Sequence, residues 1–233
     1  PWNCWPLAWG WGGSSMALGK VGQGEIVPGG GRQLPFASDT SGSIIIILNS
    51  EDKGPLEFRL RTPSMGIEEQ EITGENAAEF GFIYESYNDG EGTNVQFFKT
   101  GAGELGTYIG KISNPGNNPA IGYTVEFYLE HAAYLSSELD GYDIPLGATP
   151  PLTTHIEQAE LVPDGIEITQ SARLFYPDGS LALIELNDEG GGADAVAGDG
   201  IYSSALPEST QPGYYIVEVE AGSADGETFE RAD

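Results

Sequence analysis

The sequence predicts an all-β protein built from two tandem antiparallel β-sandwich domains, Ig-like or jelly-roll-like in kind. Short apolar or alternating segments recur along the chain, and turn residues separate them. The 34 Gly and 15 Pro residues are spread without a fixed period, as many turns between short strands require. An amphipathic helix longer than two turns is not evident in the sequence.

The predicted organisation has four parts. They are a Trp- and Gly-rich arm at 1–19, a β-sandwich at 20–133, a linker at 134–152 and an Ig- or fibronectin-III-like sandwich at 153–233. The linker is predicted from its loop composition, in which the adjacent Pro150 and Pro151 would stiffen the chain. A short helical turn is also expected near His131–Leu139.

The strands of the first domain are predicted from local patterns. Ile44–Leu48 is a continuous apolar run rich in β-branched residues, which is typical of a strand buried on both faces. Leu56–Leu60 alternates apolar with polar residues, which predicts a half-buried strand, and Tyr123–Leu129 is predicted as the last long strand of the domain. Further short strands are expected at 25–27, 80–84, 95–98 and 106–112.

The second domain continues the same pattern. Strands are predicted at 166–168, 172–175 and 181–186, and Tyr214–Glu220 is the clearest alternating segment of the chain. Pro177-Asp178-Gly179 predicts a tight turn, because Pro presets φ and Gly accepts positive φ.

Charge excludes several classes of partner. Thirty-six acidic residues against nine basic ones give a formal net charge of −27. Such a surface repels phosphate backbones and anionic lipids, so we expect neither nucleic-acid binding nor membrane insertion. The chain also lacks an apolar run long enough to span a bilayer. Two explanations of the charge stay open: solubility at high salt, or surroundings rich in divalent cations.

An acidic loop at 187–202 is the most specific candidate site. Its candidate metal ligands are Asp188, Glu189, Asp194 and Asp199, with Asn187 as a further candidate. Calcium takes six to eight oxygen ligands in a tolerant geometry, and the glycines of this loop would let backbone carbonyls turn inward. The spacing does not match an EF-hand. The alternative is a solvated acidic hairpin that binds no ion.

The same loop resembles a motif of extracellular Ig-like or fibronectin-III-like domains. Asn187–Gly190 followed by Ala193–Tyr202 is similar to their "DDG…GDAVAGDGIY" pattern. Such domains occur in bacterial surface proteins that contain von Willebrand A domains, and in the C-terminal regions of calcium-activated chloride channel regulators. The resemblance implies an extracellular sandwich and covers about residues 153–233. Glu189 departs from it, since aspartate is usual there, and so does a third consecutive glycine at Gly192.

The first domain resembles, through shorter segments, the β-sandwich that accompanies von Willebrand A domains. Val27-Pro28-Gly29 and Asn114-Pro115-Gly116 carry this resemblance. Bacterial pre-peptidase C-terminal domains share the layout, so the resemblance implies an architecture rather than an identity.

The N-terminal arm holds the ligand or assembly candidates Trp2, Trp5, Trp9 and Trp11, all the tryptophans of the chain. Their rings would stack on sugars, or pack on their own domain or on a missing upstream domain. Cys4 is the single cysteine, so an internal disulfide is excluded. Since the sequence starts at Pro1 and stops directly after a predicted strand, we expect a processed piece of a longer protein.

We expect no enzyme activity and no catalytic residues. The two histidines, His131 and His155, lack the motifs of known nucleophile or zinc sites. The sequence therefore predicts a calcium-stabilised structural or adhesive module of a secreted or cell-surface protein, which assembles into a larger surface structure or filament. Its partners would be protein, through self-association or a missing upstream domain. The alternatives are a carbohydrate-binding module with a glycan partner, based on four Trp and eleven Tyr, or the accessory C-terminal region of a secreted hydrolase.

Overall fold

The computed structural model describes residues 16–233, apart from residues 67, 68, 91, 117, 131, 140, 142, 163, 192, 193 and 227. Regular structure in these residues is nearly all β-strand, and two short 3-10 turns are its helical elements. The strands form four antiparallel sheets that pack as two sandwiches, so the predicted all-β class is confirmed. Within the same residues, no helix has the length and apolar character needed to cross a membrane.

The first sandwich packs a five-stranded sheet against a three-stranded one. Its strands are β1 (Met16–Ile26), β2 (Gly31–Ser38), β3 (Ile44–Glu51), β4 (Glu57–Arg61), β5 (Phe82–Asn88), β6 (Thr93–Thr100), β7 (Gly106–Ser113) and β8 (Ile121–Glu130). They are ordered β1-β8-β3-β6-β5 in one sheet and β2-β7-β4 in the other. The isoleucine run forms the central strand β3, in which Ile44, Ile46, Ile47 and Leu48 are buried and Ile45 is partly buried. A central position explains why the run has so little polar character.

Aromatic side chains fill the space between these two sheets. Phe36 and Phe127 stack with their ring centroids 5.0 Å apart, and Tyr84 packs on Phe98 at 4.7 Å. Gly110 lets the layers approach closely, because a Cβ there would lie 2.8 Å from the Phe36 ring and 2.9 Å from that of Phe58. The close packing of the first core therefore depends on the absence of a side chain at Gly110 as well as on the aromatic rings.

The second sandwich packs a three-stranded sheet against a four-stranded one. Its strands are β9 (Tyr134–Leu139), β10 (Pro151–Glu157), β11 (Ile168–Phe175), β12 (Leu181–Leu186), β13 (Ile201–Ala205), β14 (Ile216–Ser223) and β15 (Glu230–Ala232). The orders are β13-β10-β9 and β12-β11-β14-β15. The core between them contains Leu135, Leu152, Leu174, Val219 and Phe229.

The junction of the two sandwiches differs from the prediction. Residues 134–139 are strand β9, which pairs with β10, so the helical turn expected near His131–Leu139 is wrong. The segment predicted as a linker, 134–152, holds β9, the β9–β10 connection and the start of β10. Three residues separate β8 from β9, and two of them, Ala132 and Ala133, are buried. The paired prolines therefore end a loop inside the second sandwich.

Each sandwich contains a tyrosine whose hydroxyl binds the backbone four residues upstream. Tyr215 donates to the Gln211 carbonyl at 2.9 Å and accepts from the Gln211 N–H at 3.2 Å. Tyr108 accepts from the Glu104 N–H at 2.7 Å. This arrangement is the tyrosine corner of Ig-like sandwiches, which fixes the chain where it enters a strand.

Residues of β14 and β15 contact the first sandwich. Lys20 of β1 forms an ion pair with Glu230, and the Gln23 side-chain amide donates to Glu218 at 3.1 Å. Arg231 donates from Nη2 to both carboxylate oxygens of Asp39, in the β2–β3 loop, at 2.8 Å each. The side chains of Arg231 and Asp39 are 0% and 1% exposed, so this contact excludes water.

Candidate functional site

The acidic loop connects β12 to β13 and is closed at its base by the backbone. Asn187 and Ser203 form an isolated antiparallel bridge, with N–H···O distances of 3.2 and 2.8 Å. Beyond this bridge, Asp188 accepts from the N–H groups of Gly198 at 2.7 Å and Gly200 at 2.9 Å. The Asp188 carboxylate therefore holds the backbone around Gly198 and Gly200 in place.

Asp194 is 4% exposed and holds the backbone around Gly190 and Val196 in place. Its carboxylate accepts from the N–H groups of Gly190 at 3.0 Å and Val196 at 2.9 Å. Its own N–H donates to the Ser203 hydroxyl at 3.2 Å. A buried carboxylate is costly unless it is paired, and here backbone donors supply the compensation.

The carboxylates of Asp188, Asp194 and Asp199 come together at this loop. One oxygen from each lies within 4.8 Å of the others. Asp194 is buried, Asp188 is partly buried and Asp199 is exposed, so the cluster opens to solvent on one side. Glu189 is exposed and does not belong to this group. Asn187 takes part through its backbone bridge to Ser203.

Glycine geometry shapes the loop. Gly190, Gly198 and Gly200 have positive φ values of 69°, 75° and 88°. A Cβ on Gly190 would lie 2.7 Å from the backbone nitrogen of Ala197. Other residue types would therefore be strained at this position, both in backbone conformation and in space.

The donor set is compatible with a hard cation. It consists of oxygen ligands only, as calcium prefers, and three close carboxylates repel one another without a positive charge. The same carboxylates also accept at least one backbone N–H each. These hydrogen bonds order the loop by themselves and offset part of the repulsion, so the ion-bound and ion-free interpretations both fit the geometry.

Tyr202 connects this loop to the core. Its hydroxyl donates to the Ile168 carbonyl at 3.1 Å. Burial raises the pKa of Tyr202, and the negative charges of Asp188 and Glu167 raise it further. The negative charge of the loop therefore acts on a residue of β13, the strand that follows the loop.

Among the described residues, His155 does not join this cluster. His155 lies in β10, with Nε2 2.9 Å from Glu157 Oε1 and the imidazole partly exposed. His131 and Cys4 lie outside the described residues, as do the four tryptophans Trp2, Trp5, Trp9 and Trp11.

Sequence reasoning missed an open cleft on the first sandwich. It has a volume of about 790 Å³ and lies between β4 and the β5–β6 hairpin. Its lining includes Tyr84, Tyr87, Asn88, Asn94 and Gln96. No local motif marks this cleft, because its residues come from four separate segments.

The second sandwich is similar to a known family of protein domains. Residues 145–233 match the family model of the conditioned medium factor second Ig-like domain. The second sandwich is Ig-like. The match begins after β9, so this strand precedes the matched region. No curated protein matches the chain at a significant level.

Solved structures show similarity in fold alone. A DUF4785 family protein from Legionella pneumophila is 12% identical with a TM-score of 0.51, covering 95% of this chain and 63% of that one. A Bacillus licheniformis lipase in its propeptide form is 14% identical, covering 93% of this chain and 40% of the lipase chain. The TM-score of this similarity is 0.49. The chain spans less than two thirds of either protein.

Proposed function

We propose that this chain is a non-catalytic structural or adhesive module, in which two sandwiches are held in a fixed relative orientation. The observation that carries the proposal is the buried contact between Arg231 and Asp39. The two residues belong to different sandwiches, and both carboxylate oxygens are engaged. A module that transmits force or presents a surface at a set distance needs such a fixed joint.

The surroundings of the Arg231 guanidinium favour a single geometry. Its Nε donates to the Ala133 carbonyl and its Nη1 to the Glu230 carbonyl, and the group lies 4.5 Å from the centroid of the Phe229 ring. Burial lowers the pKa of Arg231, and the charge of Asp39 acts in the opposite direction. The bonds to Ala133 and Glu230 hold the planar guanidinium in place on the second sandwich, so rotation of one sandwich relative to the other would break both of its bonds to Asp39 together.

Calorimetry tests this fixed joint. We expect the two sandwiches to unfold in one transition, with equal calorimetric and van't Hoff enthalpies, because exposing Arg231 and Asp39 destabilises both sides. Two separate transitions in the unaltered chain would show that the sandwiches behave as independent beads, and the proposal would fail.

A location outside the cell is part of the proposal. The net charge of −27 suits surroundings rich in cations, and the family matched by residues 145–233 is described as a conditioned medium factor. The resemblance to surface proteins with von Willebrand A domains points the same way. Antibody against the chain should label intact cells or their medium, whereas detection only after lysis would contradict this location.

Stabilisation by calcium is a separate part of the proposal. The approach of Asp188, Asp194 and Asp199 supports it. An ion that binds only the folded state raises the melting temperature. We therefore expect millimolar calcium to raise the melting temperature measured in EDTA.

Variant Asp199→Asn sharpens the calcium test, because it removes one exposed charge and keeps an oxygen that can accept from Ile201 N–H. If the loop binds calcium, this variant should lose most of the rise in melting temperature that calcium gives the parent. In the ion-free alternative, it should be at least as stable as the parent in EDTA and calcium alike, since it relieves repulsion. Asp178→Asn, in an exposed turn outside the cluster, is the matched control.

Glycan binding is a second candidate, supported by the cleft beside β5. Tyr87 is 53% exposed there, and the amides of Asn88 and Asn94 lie next to it. Aromatic faces with neighbouring amides suit neutral sugars. We expect a glycan array to show binding that Tyr87→Ala abolishes. Binding that depends on Trp9 instead would assign the activity to the N-terminal arm.

A further inference from the structure

Strand β12 is an edge strand, and no described strand pairs with the outer side of Leu181–Leu186; β13 reaches this edge just beyond it, at the Asn187–Ser203 bridge. Within its sheet it pairs with β11, from Leu181 opposite Phe175 to Leu186 opposite Gln170. In an antiparallel pair, alternate residues direct their N–H and C=O groups away from the neighbouring strand. About half of the backbone groups of β12 therefore face outward, where another strand can pair with them.

The outer face of this sheet exposes an apolar row that begins at the same edge. Leu183 is 78% exposed and Leu181 is 50% exposed. Leu181 lies opposite Phe175, which in turn lies opposite Ile216, 58% exposed. Residues directly opposite each other share a face, so these side chains form one surface. An apolar surface beside an open edge is typical of a docking site.

Acidic side chains border the apolar row. Glu185 is exposed and follows Leu183 on the same face of β12. Further in, Glu218 and Glu220 share a single basic partner, Arg173, at 3.2 and 2.6 Å. Arg173 lies directly opposite Leu183, and these two glutamates of β14 neutralise its charge from the far side, so Glu185 leaves the edge itself negative.

We propose that β12 is a docking site for an extended, positively charged segment of a partner protein, which adds to the sheet as a fifth strand. Its backbone would pair with the open edge of β12. Alternate apolar residues would cover Leu181 and Leu183, and a lysine or arginine would face Glu185. This is strand addition, in which the backbone gives affinity and alternate side chains give specificity.

Charge favours this occupant over a second copy of the chain. Two copies would each bring a net charge of −27 and an exposed Glu185 on the strand that forms the seam. Like charges across an interface are unfavourable. A cationic strand meets the same surface with complementary charge.

The probe is the synthetic peptide acetyl-Lys-Thr-Val-Thr-Val-Thr-Lys-amide. Paired antiparallel to β12, it places its first lysine opposite Glu185 and its valines opposite Leu183 and Leu181. In an NMR titration of the full chain, we expect saturable shifts of the amides of 181–186. N-methylation of the alternate peptide residues whose N–H groups face β12 should abolish binding. N-methylation of the residues between them should leave binding unchanged.

Leu183→Lys removes an apolar contact and repels the peptide, so it should raise the Kd at least tenfold. Leu146→Lys, at a 62% exposed position in the β9–β10 loop, is the matched control and should leave the Kd unchanged. Both sites are exposed, so both variants should melt like the parent chain.

The proposal is overturned if the peptide shifts amides elsewhere, or if Leu183→Lys binds as tightly as the parent. It is also overturned if the chain alone forms a dimer that Leu183→Lys dissociates, because a second copy would then occupy the edge. The β12 edge lies apart from the Arg231–Asp39 contact. Loss of peptide binding would therefore leave the single unfolding transition unchanged. Two separate unfolding transitions would likewise leave peptide binding unchanged.

Discussion

Arg231, two residues before the end of the described chain, donates two 2.8 Å hydrogen bonds to Asp39, which lies 192 positions earlier. We expect Asp39→Asn to destabilise the chain by about 3–5 kcal/mol, because it leaves the buried guanidinium uncompensated. Urea unfolding measures this loss.

A double variant separates charge from packing at this joint. Arg231→Met in addition to Asp39→Asn removes the stranded charge, so the pair should be more stable than Asp39→Asn alone. Lys53→Met, which breaks an exposed ion pair with Glu51, is the control and should change little. A negligible effect of Asp39→Asn would contradict the importance of the contact.

The tyrosine corner of the second sandwich allows a closely matched test. Tyr215→Phe removes the hydroxyl that bonds to both the N–H and the C=O of Gln211, and should cost about 1–2 kcal/mol. Its neighbour Tyr214 is 94% exposed, so Tyr214→Phe should leave the urea midpoint unchanged. Equal effects of the two changes would show that the corner contributes nothing.

Tyr108 makes the first sandwich sensitive to alkali. Burial raises the pKa of Tyr108 from its ordinary value of 10.0 to about 12. Above the lower value the unfolded chain loses this proton while the folded chain keeps it, so stability falls as pH rises between the two. Urea unfolding from about pH 9 to about pH 11 should show a smaller loss in Tyr108→Phe than in the parent. Parallel pH curves would refute this prediction.

Two neighbouring glycines of the acidic loop should differ in their response to alanine. Gly190 has a φ of 69° and would bring its Cβ against the Ala197 nitrogen, whereas a Cβ on Gly191 meets open space. Gly190→Ala should therefore cost about 1–2 kcal/mol or more in urea unfolding. Gly191→Ala should be nearly neutral, and a reversed order would mean that the loop has another conformation.

Much of the architecture follows from local patterns in the sequence. The isoleucine run predicted the strand β3, alternation predicted β4, and β8 was predicted as the last long strand of the first domain. The predicted strand Tyr214–Glu220 is displaced, since β14 spans Ile216–Ser223 and Tyr214 points to solvent. Proline and glycine before β14 explain this, because Gly213 packs against Pro177 with a φ of 147°.

The junction could not be predicted from local patterns. Strand β9 buries Leu135 and partly buries Leu139, and the residues between them are polar. Two apolar residues four positions apart do not show the alternation that predicts a strand, so the pairing of β9 with β10 was not predicted. Arg231 and Asp39 look like surface residues at their own positions. Their burial depends on how the two sandwiches meet.

The candidate site was partly predictable. Its Asp and Gly spacing marked the loop, but the grouping of Asp188, Asp194 and Asp199 without Glu189 depends on backbone turns. Those turns are set by hydrogen bonds from glycine N–H groups, which the sequence does not specify.

A distance measurement by electron–electron double resonance shows whether the two sandwiches are held in one orientation. Spin labels at Glu85→Cys in β5 and Glu185→Cys in β12, both exposed positions, report on the two sandwiches in a Cys4→Ser background. We expect a single narrow distance distribution, because the Arg231–Asp39 contact fixes the joint. A broad or multiple distribution would mean that the two sandwiches move independently.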